Sequence, residues 1–264
     1  MVFSSMVFLW LFLPVVLAGG FLFREIRLQN LFLLLMSLLF YAWGEPHYLI
    51  LLLLSIGMNW AFGLGMERTK SHKKCVLVLS VLCNLALLGY YKYADFLLNT
   101  VDALLPGAGL PRLHLPLPIG ISFFTFQAMS YVIDLYRGEY AAEKNLLDLA
   151  LYISFFPQLI AGPIVKYRDI HEEIHSRRTV SLSNLATGAR RFIYGLGKKV
   201  ILSNLIASCA TTFLSAEETQ TSSLMAWTGV VLYALQIYYD FSGYSDMAIG
   251  LGRMFGFHIL ENFN

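Results

Sequence analysis

Apolar runs about as long as a bilayer is thick follow one another along this chain, and they leave it few folds. A helix needs roughly 20 apolar residues to cross the hydrocarbon core. Runs of that order lie near 3–23, 28–43, 48–66, 75–91, 117–136, 146–165, 192–214 and 224–251. A segment in lipid must satisfy its backbone hydrogen bonds internally, so the crossing runs are expected to be helices. Composition agrees: 57% of the 264 residues are hydrophobic and 14% charged, where a soluble domain carries about a quarter charged. The expected fold class is an all-α polytopic membrane protein, with residues 1–264 as a single membrane-embedded domain.

Loop charges suggest an orientation, because basic residues accumulate in cytoplasmic loops. The opening "MVFSSMVFLWLFLPVVLAGGFLF" lacks the basic start and small-residue cleavage site of a secretory signal. Followed by Arg24 and Arg27, it reads as an uncleaved anchor with its N-terminus outside. The loop "ERTKSHKK" (67–74) holds four basic residues against one acidic, and 166–191 holds six against three. Both are expected in the cytoplasm, and the acidic "SAEETQTSS" (215–223) outside. Three apolar runs between 75 and 165 would put 166–191 on the wrong side, so one of them is expected not to cross. Two carry helix breakers: 117–136, introduced by Pro116 and Pro118, and 146–165, with Pro157, Gly162 and Pro163. Non-helical backbone at membrane depth is tolerated only inside protein or against a wet cavity. The stretch 93–107, with Asp95, Asn99 and Asp102 among apolar residues, is expected to lie along the outer surface.

The most informative polar stretch is "LQIYYDFSGYSDMAIGLGRMFGF" (235–257), attached to the apolar "LMAWTGVVLYA". On a helix Gln236, Asp240, Gly243, Tyr244 and Met247 share one face, and Ser242, Asp246 and Arg253 another. Either the helix ends near Gly243 and Asp246 meets headgroup water, or these groups face a polar interior. Intramembrane ionisable groups are costly and usually functional. The pair Gly252 and Gly256 is spaced to let a second helix approach closely.

Other motifs are weaker. "HEEIH", His171 to His175, fits a zinc-protease pattern. Its charged flanks instead read as a solvated cytoplasmic helix, so no metal is expected. Cys75, Cys83 and Cys209 lie in apolar runs and read as buried small hydrophobes. A net charge of +2, with its cations in short loops, gives no footprint for nucleic acid. Residue chemistry stops at a polytopic protein with a polar intramembrane cavity, which leaves transporter (or lipid flippase) and membrane enzyme both open.

Four stretches, in order, go further: "MVFSSMVFLWLFLPVVL", "LPIGISFFTFQAMSYVIDLYRG" (117–138), "FPQLIAGPIVKY" (156–167) and "YYDFSGYSDMAIGLGRMFGFHILENFN" (238–264). Together they resemble the membrane-bound O-acyltransferase family, in its bacterial alginate O-acetyltransferase branch. The resemblance implies a ring of transmembrane helices with re-entrant segments around a central funnel. It implies an acetyl group passed from a cytoplasmic donor, acetyl-CoA, toward an extracytoplasmic polysaccharide. It further implies a bacterial inner-membrane location, no bound cofactor, and extracytoplasmic acetyltransferase partner proteins. The resemblance places the family's catalytic histidine beyond Asn264, and His258 does not match it. The domain is therefore expected to be incomplete at its C-terminus, as the N-terminal part of a longer enzyme or a truncated gene product, and inactive alone. The residues that carry over as lining of the substrate tunnel are Gln127, Asp134, Arg137, Gln158, Gly162, Pro163, Asp240, Ser242, Tyr244, Asp246, Glu261 and Asn262.

Overall fold

The computed structural model describes residues 1–23, 25–69, 71–105, 111, 113–163, 165–178, 181–215 and 222–263. Arg24 and most of the acidic loop 215–223 fall outside them. Among the described residues every regular element is a helix. They are α1 (Phe8–Leu22), α2 (Ile26–Gly44), α3 (Leu49–Arg68), α4 (Lys73–Leu104), α5 (Ile121–Arg137) and α6 (Leu146–Ser154). Then follow α7 (Phe156–Leu159), α8 (Tyr167–His175), α9 (Leu182–Gly197), α10 (Asn204–Leu214) and α11 (Ser223–Met254), with a π-helical turn at Lys198–Ser203 joining α9 to α10. By length and composition α2, α3 and α4 are long and apolar enough to cross a membrane. The chain is a membrane protein.

Local chemistry sets several boundaries. Asn145, Ser181 and Ser222 cap α6, α9 and α11 by accepting from the backbone N–H of Leu147, Asn184 and Met225. Gly120, at φ 77°, opens α5, and a Cβ there would sit 2.6 Å from the Leu159 carbonyl oxygen. Helix α11 ends in a Schellman motif: Phe257 N–H donates to the Gly252 carbonyl and Gly256 N–H to that of Arg253. Gly256, at φ 80°, therefore supplies this turn and makes no helix-packing pair with Gly252.

The chain divides into two compact units. The first comprises Met1–Phe32, Ala161–Val165 and Asp169–Asn264. Here α9 and α11 run antiparallel in close contact, because glycines face each other at two levels. A Cβ on Gly188 would lie 2.6 Å from the Gly250 carbonyl oxygen, and one on Gly195 2.5 Å from that of Gly243. Small residues permit this approach where apolar surface alone gives no drive to associate in lipid. Phe3 and Phe8 brace the pair, stacking on Tyr244 at 4.6 Å and Phe192 at 6.3 Å.

The second unit comprises Leu33–Ile160 and Lys166–Arg168. Asn59 of α3 and Asn84 of α4 exchange side-chain hydrogen bonds of 3.1 and 2.8 Å, both fully enclosed. The run 146–165 is broken: α6 has nine residues and α7 four. Nine residues rise about 14 Å, less than half the hydrocarbon core. Phe155 turns extended between them, and Pro157 cannot supply the N–H that a continuous helix needs. The two ends of this excursion are tied together. Tyr167 donates to Glu143 at 2.6 Å, and Arg168 pairs with Glu139 at 3.0 Å.

Three expectations change. The stretch 93–104 continues α4 as one 32-residue helix, since no glycine or proline interrupts it after Gly89. Pro116 and Pro118 precede α5 instead of breaking it. Cys75 and Cys209 are exposed, and an apolar thiol on a surface facing lipid has no need of a core.

Candidate functional site: a charged seam between two helices

All but the last three residues of the polar stretch 235–257 lie within a continuous helix, because α11 runs 32 residues through Gly243 to Met254. Its carboxylates are matched by cations on the antiparallel neighbour. Asp246, 8% exposed, accepts from Arg191 Nε at 2.8 Å and from Lys198 Nζ at 2.6 Å. Lys198 also donates to Ser242 Oγ at 3.0 Å. Asp240 pairs with Lys199, so its partner is this lysine and not Tyr244. Arg191 bridges onward to Glu261, Nη1 to Oε1 at 2.6 Å, and Arg253 lies 3.8 Å from the same carboxylate. Consecutive Lys198 and Lys199 both reach α11 from the π turn, a distortion frequent at functional sites. Arg191 and Lys198 are seven residues apart, as are Gly188 and Gly195, so cations and glycines share one seam.

Beside this seam an open cavity of about 550 Å³ has Arg191, Lys198 and Asp246 at its polar wall and Ile193, Tyr194, Ile201 and Leu202 at its apolar one. A smaller one, about 260 Å³, is lined by Asn184, Thr187, Arg253, Gly256, Phe257 and His258. His258 is held there by Glu173, whose Oε1 accepts from its backbone N–H and lies 2.8 Å from its Nδ1. Arg178 packs over the Phe257 ring at 4.4 Å and donates to Asn30 Oδ1 at 2.7 Å. On α8 the rings of His171 and His175 lie 4.4 Å apart, with His175 Nδ1 2.9 Å from the His171 carbonyl oxygen.

The structure therefore gathers Asp240, Ser242, Asp246 and Glu261 along one seam of the first unit, with Asn262 exposed next to Glu261. Tyr244 stacks on Phe3, and its hydroxyl lies at the Ala161 backbone, next to buried Gly162 and Pro163. The remaining candidates belong to the second unit. Gln127 and Asp134 are buried on one face of α5, Gln158 is buried on α7, and exposed Arg137 lies 3.6 Å from Asp134. Around them Tyr131, Tyr140, Tyr152 and Tyr167 pack ring against ring. Burial, then the hydrogen bond to Glu143, pushes the Tyr167 phenol well above its ordinary value, so it remains a donor.

Sequence reasoning missed Arg191, which fell in the loop 166–191, and Lys198 and Lys199, which fell inside the apolar run 192–214. The seven-residue spacing of Arg191 and Lys198, shared with Gly188 and Gly195, was the available signal.

Comparison with known proteins bears on this geometry. Residues 141–264 match the model of MBOAT, the membrane-bound O-acyltransferase family. Over its whole length the chain is 42% identical to the probable alginate O-acetylase AlgI of Pseudomonas syringae, covering 51% of that protein. It is 35% identical, again over its whole length, to the peptidoglycan O-acetyltransferase of Helicobacter pylori, covering 56% of it. A teichoic acid D-alanyltransferase of Bacillus subtilis is 28% identical over 55% of the chain. The chain is similar to members of the membrane-bound O-acyltransferase family, whose model it matches over residues 141–264. It spans about half the length of the curated relatives it matches.

Proposed function

We propose that the protein is a membrane O-acetyltransferase of the bacterial inner membrane. It takes acetyl groups from a cytoplasmic donor, acetyl-CoA, and passes them toward an extracytoplasmic polysaccharide, together with extracytoplasmic acetyltransferase partners. The observation that carries this reading is the 42% identity, sustained over the entire chain, to proteins named for alginate O-acetylation. Relatives named for two other envelope polymers, peptidoglycan and teichoic acid, share the transfer of an acyl group to an outer polymer. That common theme favours transferase over transporter or flippase. The α9–α11 seam supports it too, since charged groups are retained inside apolar helices where a polar path needs them. In this reading Asp240, Ser242, Asp246 and Glu261 line part of the substrate tunnel, with Arg191, Lys198 and Lys199 fixing their orientation.

The test is deletion of the gene in its native host, followed by measurement of ester-linked acetate released by mild base from the secreted and envelope polysaccharides. Loss of acetate from one polymer, restored by the intact gene, is the expected result. Unchanged acetate in every polymer, with uptake of a small solute abolished, would establish the transporter instead.

A further inference from the structure

One buried side chain in the second unit has hydrogen-bonding capacity that nothing around it uses. Gln127 on α5 is 2% exposed, yet neither its Nε2 nor its Oε1 has a partner among the described residues. A buried amide left unpaired forfeits its hydration without replacement, and such groups are few in native proteins. The Gln127 backbone carbonyl accepts from Ser130 Oγ at 2.8 Å and from the Tyr152 hydroxyl at 3.4 Å. Gln158, fully enclosed on α7, spends its Nε2 on the Tyr152 carbonyl at 2.7 Å and keeps its Oε1 unpaired. Gln127 bonds Tyr152 through its backbone carbonyl and Gln158 through one amide hydrogen, so the two side-chain amides retain one free donor group and two free acceptors. Neutral donors and acceptors suit a neutral ligand group, because an ion would need a countercharge to leave water.

We infer that Gln127, with Gln158 beside Tyr152, holds the uncharged oxygen groups of the acyl-transfer substrates. Gln127 Nε2 donates to the carbonyl oxygen of the acyl group, and its Oε1 accepts from the hydroxyl that receives it. This rests on the acyltransferase reading, which supplies a carbonyl and a hydroxyl that must meet. Gln127 is a substrate-holding residue here, and no proton or bond is assigned to it.

Stability and activity separate the alternatives. Methionine matches glutamine in length and shape but has no amide. In Gln127→Met a ligand-holding amide predicts a thermal midpoint in detergent that is unchanged or raised, since the unpaired group is gone. Transfer of labelled acetate from acetyl-CoA to polysaccharide should fall about tenfold, the size of one lost hydrogen bond to substrate. The loss should be in KM more than in kcat, and Gln158→Met should lose less, having given up only one free acceptor. Two results overturn the inference. One is full transfer by Gln127→Met. The other is a midpoint lowered by several degrees, more than about 3 °C, in step with activity; the amide then serves the fold through water or packing. These assays use the full-length protein, and a full-length wild type that transfers no acetate removes the acyltransferase reading itself and this inference with it, an outcome seen before any variant is made.

Discussion

Asp246 is buried in the polar half of α11, and what makes it tolerable is a pair of cations, Arg191 from α9 and Lys198 from the π turn that follows it. Removing one member of a buried ion pair leaves an uncompensated charge, which costs more than the pair is worth in place. Its partners are 27% and 36% exposed, so solvent and headgroups soften the effect. Asp246→Asn is therefore expected to cost about 1–3 kcal/mol, read as a lower thermal midpoint in detergent. Asp240 is a different case, half-exposed and paired with Lys199. Asp240→Asn should leave near-normal protein in the membrane while lowering acetyl transfer several-fold. Ser223→Ala, at the exposed start of α11, should do neither. Exchanging the pair, Lys199→Asp with Asp240→Lys, should restore most of what either change alone removes. Activity retained by Asp240→Asn would show that this carboxylate serves no substrate. The sequence marked Asp240 and Asp246 as anomalous; it was silent on their partners, because a lysine next to an apolar run looks the same whether it faces water or a carboxylate.

Glycine has opposite meanings in different helices of this protein. At Gly195 a Cβ would press on the backbone of Gly243 and Met247 at 2.5 and 2.7 Å, and backbone of a packed helix has little room to give. At Gly89 nothing lies within 4 Å. Gly195→Ala should force α9 away from α11 and cost about 1–3 kcal/mol. Gly89→Ala should gain up to about 1 kcal/mol from helix propensity. Thermal unfolding of the two purified variants decides this, and equal midpoints would mean that the α9–α11 contact is looser than its geometry. Reading "GLGRMFG" alone suggested Gly252 and Gly256 as the packing pair. Tertiary structure assigned that role to Gly243 and Gly250, since Gly256 lies past the helix end, where a left-handed turn requires it.

For the molecule as a whole, loop charge and broken helices combine into one topology. Glu143 and Glu139 meet Tyr167 and Arg168, so the chain that departs into α6 comes back to where it left. Single cysteines at Lys144 and Arg168, with Cys75, Cys83 and Cys209 replaced, should react with an impermeant reagent from the same side. Cysteines at Ser71 and Ser176 should be shielded in whole cells, and one at Ser222 should react. Labelling of Lys144 and Arg168 from opposite sides would make 146–165 a true crossing and reverse the assignment of 166–191.

Apolar run length and the absence of strand periodicity were enough to determine an all-helical membrane protein, because lipid leaves the backbone almost no other choice. The mismatch between loop charges and run count also showed that one apolar run is irregular. Which run it was could not be read from prolines alone, since Pro116 and Pro118 look as disruptive as Pro157. Only the fold distinguishes a proline before a helix from one that breaks it. The same holds for the seam: Arg191, Lys198 and Lys199 lie 41–70 residues from the carboxylates they meet. No local pattern encodes that distance. It is settled by glycine-to-glycine packing of two antiparallel helices, which brings the charges into register as a consequence.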